Sequence, residues 1–285
     1  MTEKTGGEGH VDSPADPGSK RTRNPTAGSD GGGALEFRSL QEDDSSVTAR
    51  VYQLAKRRVK PTIGGRVLGV FAKRPEPGLV KTRLGAATSP EWAARVAAAF
   101  LADLLDRLAE VDADRVVAFA PDEHADSFAA LAQDRYDLVP QGPGDLGARL
   151  SRFFAARFEE GARAVVVVGT DSPTLPVEWV GRALDELSRA DVVLGPATDG
   201  GYYLLGLSRP LPSLFEGVDW GTERVLRQTV ERLGEATLVL LPPWYDVDGP
   251  ADWAALAGHV AALRRAGIDP AVPRTERLLA GEPAP

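Results

Sequence analysis

Every position of the run 164–168 (Ala-Val-Val-Val-Val) is apolar, and so is every position of 67–72 (Val-Leu-Gly-Val-Phe-Ala). Short runs with no polar side read as buried strands. Around them the chain alternates strand and helix signals. A helix is predicted over 90–110, opened by Ser89 as N-cap with Pro90 in the first position and Glu91 in the first turn. Further helices are predicted over 123–132, over 145–160 closed by Gly161, over 176–189, over 222–233, and over 251–266 closed by Gly267. Strands are predicted over 116–120, weakly over 136–139, and over 192–195, 202–207 and 236–241. Strands separated by helices of this length define an α/β fold, a mostly parallel sheet with helices on both faces. The folded domain is placed at 63–270, with 1–62 as a disordered or weakly ordered tail and 271–285 as a C-terminal extension. No internal repeat is visible.

The tail is a different kind of polymer. Residues 1–33 hold eight Gly and no aromatic, Leu, Ile or Phe, too little apolar surface to offset the entropy of ordering. Residues 45–60 have the composition of one short basic helix. Of 41 acidic and 33 basic side chains, 9 and 10 fall in residues 1–62, which leaves 32 against 23, a net charge of −9, for the rest. So acidic a body is a poor ligand for nucleic-acid backbone or for an anionic membrane. No Cys is present, which excludes disulfides, thiolate zinc sites and Cys nucleophiles. The three His, at 10, 124 and 259, lie away from the stretches described next, which argues against His-dependent hydrolysis. No apolar run is long enough for a membrane-spanning helix, and no hydrophobic leader opens the chain. The expectation is a cytoplasmic protein without integral membrane association.

Two stretches carry the chemistry. Lys73-Arg-Pro-Glu-Pro-Gly78-Leu-Val-Lys81-Thr82-Arg83-Leu84 follows the first buried strand and puts four cations on what reads as a flexible, extended loop. Gly169-Thr-Asp171-Ser172-Pro173 follows the valine strand and puts a carboxylate at its end. Ligands of open α/β sheets bind outside the carboxyl ends of the strands. Cations for phosphates and a carboxylate for a divalent metal are what a nucleotide-using transferase needs there. A carboxylate beside a buried strand is costly unless paired or bound to a cation, and Pro173 stops the strand so that Asp171 is aimed into the cleft. The bland readings are surface charge for the cations and a turn or N-cap for Asp171.

Two other resemblances fail. Gly78–Thr82 lacks the first Gly of a phosphate-binding P-loop, and its Lys does not directly follow Gly. Gly142-Pro-Gly144-Asp-Leu-Gly147 is a literal GxGxxG, but the strand before it is short and Pro143 stiffens the loop. Two later stretches add candidates. In Gly195-Pro-Ala-Thr-Asp199-Gly-Gly-Tyr202-Tyr203, the Asp-Gly-Gly permits close backbone approach to a ligand and the tyrosines suit a sugar ring or base, unless this is an ordinary turn before a strand. In Asp246-Val-Asp248-Gly-Pro250-Ala-Asp252, Asp248 is either a second metal carboxylate or an N-cap ahead of Pro250.

Together, residues 66–260 resemble the bacterial selenodomain-associated or arsenosugar-biosynthesis-type glycosyltransferases of the GT-A, nucleotide-diphospho-sugar transferase fold. The motifs that carry the resemblance stand in family order at Lys73–Leu84, Gly144–Arg149, Gly169–Pro173, Gly195–Tyr203 and Asp246–Asp252. Gly221 and Gly249 depart, standing where the family often has Ser and Thr. The resemblance implies Mg²⁺ or Mn²⁺ on Asp171 and Asp248, bridging a nucleotide diphosphate. It implies phosphate contacts from Lys73, Lys81, Thr82 and Arg83, with Gly78 giving the loop close approach and Lys81 and Arg83 acting in catalysis. Asp145 and Arg149 would border the base or ribose. Asp199, as base or sugar-hydroxyl anchor, would face the sugar or acceptor with Gly200, Gly201, Tyr202 and Tyr203. The expected activity is transfer of a glycosyl group from a nucleotide sugar to a small acceptor. The alternative is a nucleotidyltransferase similar to 2-phospho-lactate guanylyltransferases, whose loop resembles Lys81-Thr82-Arg83-Leu84 here and which release pyrophosphate from an NTP. A non-catalytic nucleotide-binding protein is the third reading.

Overall fold

The computed structural model describes residues 65–281. The predicted tail over 1–62 lies outside them. Seven strands form one sheet: β1 (Arg66–Lys73), β2 (Asp114–Ala120), β3 (Asp137–Pro140), β4 (Ala164–Val168), β5 (Val192–Pro196), β6 (Tyr202–Leu207) and β7 (Leu238–Leu240). Their order is β3-β2-β1-β4-β6-β5-β7. All neighbours pair in parallel except β6, which runs antiparallel between β4 and β5. The helices are α1 (Thr82–Ala87), α2 (Pro90–Leu108), α3 (Ala125–Ala132), α4 (Leu146–Glu159), α5 (Val177–Glu186), α6 (Val225–Glu231), α7 (Pro250–Arg265) and α8 (Pro273–Leu279). Among the described residues no helix is long and apolar enough to cross a membrane.

Alternation along each strand divides the core. Leu68, Val70, Val166 and Val168 pack on one face with Leu101, Leu104 and Leu105 of α2, Phe128 of α3 and Val180 of α5. Val67, Val116, Val165 and Val167 pack on the other with Leu150, Phe153 and Phe154 of α4. Being apolar on both faces is thus what the central strands of a helix-covered sheet require. Ser89 caps α2 as its sequence predicts, accepting the Trp92 N–H at 3.1 Å.

A third cluster lies beyond the sheet. Leu84 of α1, Val96 and Phe100 of α2, Leu256 and Val260 of α7 and Leu278 of α8 pack around Val247. It ties the loop after β1 to the loop after β7. Val272 and Leu278, from the stretch read as a C-terminal extension, pack into the same cluster. Asp103 of α2 is fully buried and accepts from Thr275 N and Oγ1, both at 2.8 Å, and from Arg274 N and Nη1 at 3.2 and 3.1 Å.

Candidate functional site

β1 and β4 are adjacent and parallel, but β1 is followed by a connection to β2 on one side and β4 lies on the other. That reversal opens a crevice at their carboxyl ends. The segment leaving β1 is built, not loose. Arg74 N donates to Ala120 O at 2.8 Å, and Leu79 N to Glu76 O at 3.0 Å across a turn with Gly78 at φ 78°. Lys73 Nζ donates to Leu79 O at 3.0 Å. Lys73 is therefore engaged in holding the turn, where the sequence reading aimed it at phosphates.

The extended-loop reading of 79–83 is also corrected. Lys81 adopts a left-handed conformation (φ 46°, ψ 44°), and Thr82 and Arg83 open α1. Alternation along an extended chain does not align Lys81 with Arg83. They converge by another route, because both reach Asp248. Lys81 Nζ donates to Asp171 Oδ1 and lies 3.2 Å from Asp248 Oδ1, while Arg83 Nη2 donates to Asp248 Oδ2 at 3.0 Å. The Lys81 side chain is 3% exposed and its ammonium stands 5.4 Å over the Phe100 ring, whereas Arg83 is 69% exposed. Thr82 is exposed.

Asp171 is carried out of the sheet by Gly169 and Thr170, and its carbonyl accepts Val247 N at 2.9 Å. The alternation Asp246-Val247-Asp248 does the rest. Val247 is buried in the third cluster, so its neighbours cannot join it there. Asp248 is not the N-cap of α7. Gly249 takes that position, and Asp252 Oδ2 reaches back to accept Asp248 N at 3.1 Å and Gly249 N at 2.8 Å. The Asp248 carboxylate is thereby left to the cations.

Asp246, to which sequence reasoning assigned no role, accepts a hydrogen bond from Ser172 Oγ. Burial pushes its carboxyl up to about 7; the Ser172 bond opposes this, and the charges of Asp171, Asp199 and Asp248 add to it. The charges of three carboxylates thus reach Asp246 at this edge. The signal for Asp246 was available in the Asp-x-Asp spacing around a buried apolar residue.

Asp199 is exposed on the turn after β5, its Oδ1 accepting Gly201 N at 2.8 Å. Gly200 has φ 92°, and a Cβ there would lie 2.3 Å from Glu223 O. Leu226 N donates to Gly200 O at 2.9 Å. Within the fold, the close approach that Asp-Gly-Gly permits is to residues 223–226. The tyrosines also differ from expectation. Tyr203 is 4% exposed and donates to Pro242 O at 2.9 Å. Tyr202 packs against the second core cluster, edge-to-face on Trp220. Both are packing aromatics, since adjacent strand residues point to opposite core-covered faces.

Asp145 caps α4, accepting Ala148 N at 2.8 Å. Arg149 bonds Gly144 O at 2.9 Å and Gln141 Oε1 at 3.3 Å, and Gln141 Nε2 in turn donates to Ala72 O and Ala118 O. This group sits at the ends of β1, β2 and β3. Direct contacts therefore unite Lys81, Arg83, Asp171 and Asp248; Asp199 joins through its charge, and Asp145 and Arg149 flank the carboxyl ends of the strands.

A sheet with this order, carrying paired cations and carboxylates at its carboxyl edge, has a recognisable relative. The crystal structure of a protein described as a "putative nucleotide-diphospho-sugar transferase" from Desulfovibrio desulfuricans G20 is 33% identical, with a TM-score of 0.68 over 75% of this chain and 96% of that one. The chain belongs to the nucleotide-diphospho-sugar transferase superfamily. Within it, residues 104–222 match the family DUF2064, "Uncharacterized protein conserved in bacteria". Two curated relatives are similar over shorter stretches. The 3-phospho-D-glycerate guanylyltransferase of Phenylobacterium zucineum is 36% identical over 137 residues, 46% of this chain and 62% of that protein. The 2-phospho-L-lactate guanylyltransferase of Methanothermobacter thermautotrophicus is 32% identical over 160 residues, 53% of this chain and 69% of that one.

Proposed function

We propose that the protein is a metal-dependent nucleotidyltransferase that joins the nucleoside monophosphate of an NTP to a small phosphorylated acceptor and releases pyrophosphate. The observation that carries this is the convergence of Lys81 and Arg83 on Asp171 and Asp248 at the carboxyl ends of β1 and β4. Both curated relatives being guanylyltransferases favours this reading over glycosyl transfer and makes GTP the first donor to test.

The residues fit a divalent cation. Asp171 and Asp248 offer hard oxygen donors around a position now held by an ammonium, and they are 50% and 32% exposed. No cluster of three or more ligating side chains occurs among the described residues. Mg²⁺ is commonly held by one or two carboxylates, with waters and substrate phosphates completing the shell. When bound, Mg²⁺ or Mn²⁺ would neutralise phosphate charge and polarise the reacting phosphorus.

The chain's own residues do the rest. An oxygen of the acceptor phosphate attacks the α-phosphorus of the NTP, the bond to the bridging oxygen breaks, and pyrophosphate leaves with that electron pair. Lys81 and Arg83 stabilise the charge that grows on the leaving group, an effect larger in the transition state than in the bound substrate. Asp145 and Arg149 border the base or ribose. Asp199, exposed near Asp246, anchors a hydroxyl of the acceptor or ribose. Lys73 and Gly78 shape the turn beneath the phosphates.

Glycosyl transfer is the second reading, supported by the motif resemblance and by the description of the 33% identical structure. One assay separates the two. The protein is incubated with each NTP, 3-phosphoglycerate or 2-phospholactate, and Mn²⁺, and pyrophosphate is measured; a parallel series contains nucleotide sugars, and free nucleoside diphosphate is measured. Acceptor-dependent pyrophosphate is expected. Nucleoside diphosphate from a nucleotide sugar, with no pyrophosphate from any NTP, would replace the proposal with glycosyl transfer.

A further inference from the structure

In this fold the cation between Asp171 and Asp248 is Lys81 itself. Its ammonium touches one oxygen of each carboxylate, on residues distant in sequence. Two carboxylates brought this close repel unless a cation lies between them. The lysine is held for the purpose. Its side chain is buried, its ammonium rests over Phe100, and its backbone takes a left-handed conformation uncommon for a residue with a side chain. The carboxylates, by contrast, are open to solvent. An ammonium and a divalent cation therefore compete for Asp171 Oδ1 and Asp248 Oδ1.

We infer that Lys81 is the resident counter-ion of the metal site, that metal entry displaces its ammonium, and that the freed ammonium turns to the nucleotide phosphates. This rests on the reading that Asp171 and Asp248 hold a divalent metal. Metal alone must evict a buried ammonium that then lacks a counter-charge. With nucleotide present, phosphate supplies that charge. One side chain thus couples the two ligands, and each raises the affinity for the other by the same factor.

The test measures Mn²⁺ binding to metal-free protein by the loss of the free-ion paramagnetic resonance signal, with and without GDP, after correction for Mn²⁺–GDP complexes formed without protein. Lys81→Met keeps the buried stem without the charge. It should bind Mn²⁺ alone at least roughly five-fold more tightly than wild type, the lower end of usual coupling factors, and should gain less from GDP. Lys81→Arg, which keeps a cation, should stay near wild type. Tighter binding must vanish in the Lys81→Met, Asp171→Asn double variant. A wild-type measurement covers the case in which Lys81→Met does not fold: acetic anhydride labelling of Lys81, mapped by peptide and normalised to Lys73, should rise on adding Mn²⁺. Unaltered or weaker Mn²⁺ binding by Lys81→Met, or Lys81 labelling that does not rise with bound Mn²⁺, overturns the exchange while leaving the metal in place. Absence of Mn²⁺ binding in wild type and Lys81→Met alike overturns the metal reading and the exchange with it.

Discussion

Gly78 and Gly200 both have positive φ, 78° and 92°, yet replacing each by Ala should have very different costs. At Gly78 a Cβ would meet nothing within 4 Å, so the substitution adds only conformational strain. A left-handed L-residue costs about 1–2 kcal/mol. The stiffer unfolded chain returns about 0.4–1 kcal/mol of that. Gly78→Ala should therefore destabilise by about 0–1.6 kcal/mol. At Gly200 the same strain applies, but the Cβ would also lie 2.3 Å from Glu223 O and 2.7 Å from Glu223 Cα. These are backbone atoms and cannot rotate aside. Moving them costs about 1–3 kcal/mol by analogy with overpacked cores. It also strains the bond from Leu226 N to Gly200 O, worth about 1 kcal/mol. Gly200→Ala should thus cost about 2–6 kcal/mol. Urea denaturation of both variants, followed by far-ultraviolet circular dichroism, reads the difference directly. Equal losses, or a smaller loss at Gly200, would refute the argument that 223–226 is what Asp-Gly-Gly accommodates. Nucleotide binding adds a second comparison: if Gly78 serves close approach to phosphate, Gly78→Ala should weaken nucleotide affinity well beyond its effect on stability.

Arg83→Ala should lower turnover by about a hundred- to a thousand-fold if its guanidinium meets the leaving group, with Lys73→Ala nearer wild type because Lys73 bonds the Leu79 carbonyl; equal effects in steady-state kinetics would contradict that division. Asp246, pushed up to about 7 mainly by burial, holds a proton in the folded state that the unfolded chain releases near pH 4. Its contribution to stability is therefore full below about pH 4 and is lost as pH rises through about 7, by at most about 4 kcal/mol. Asp246→Asn should flatten that slope in metal-free urea titrations at pH 5 and pH 8, and an unchanged slope would count against it. Tyr203→Phe should cost about 1 kcal/mol for the lost bond to Pro242 O and leave substrate affinity unaltered; a raised KM at unchanged stability would return Tyr203 to the binding site.

Much of the sheet could be read directly because its central strands are apolar on both faces and bounded by Gly, Pro and Asp. β4 matches its predicted limits, as does β6. Strand direction is not encoded in that pattern, so the reversal of β6 was invisible, and with it the edge of the sheet at which Tyr202 and Tyr203 stand. α1 was missed because Thr-Arg-Leu-Gly-Ala-Ala contains a Gly and spans less than two turns; it forms because Leu84 and Gly85 pack into the third cluster's neighbourhood. Asp171 could be placed from one strand and one proline. Its meeting with Asp248 could not, because it depends on how a buried Val247 anchors the loop after β7 against α2 and α7. Local reading finds the strand ends at which site residues stand, and long-range packing decides which of them touch.

The bonds from residues 274 and 275 to Asp103 have a consequence for how the chain is made. Asp103 lies in α2, early in the domain, and its carboxylate is fully enclosed in the finished protein. The donors that satisfy it arrive some 170 positions later, with separations of 171 and 172 residues. A nascent chain that has emerged only through α7 must either leave α2 ajar or enclose an unpaired charge, and the second costs several kcal/mol. Complete closure of this layer therefore requires the last helix, so native packing around Asp103 is expected only once residues 274 and 275 have been synthesised. Ending the chain at 270 would remove Arg274 and Thr275, and with them the donors that satisfy Asp103.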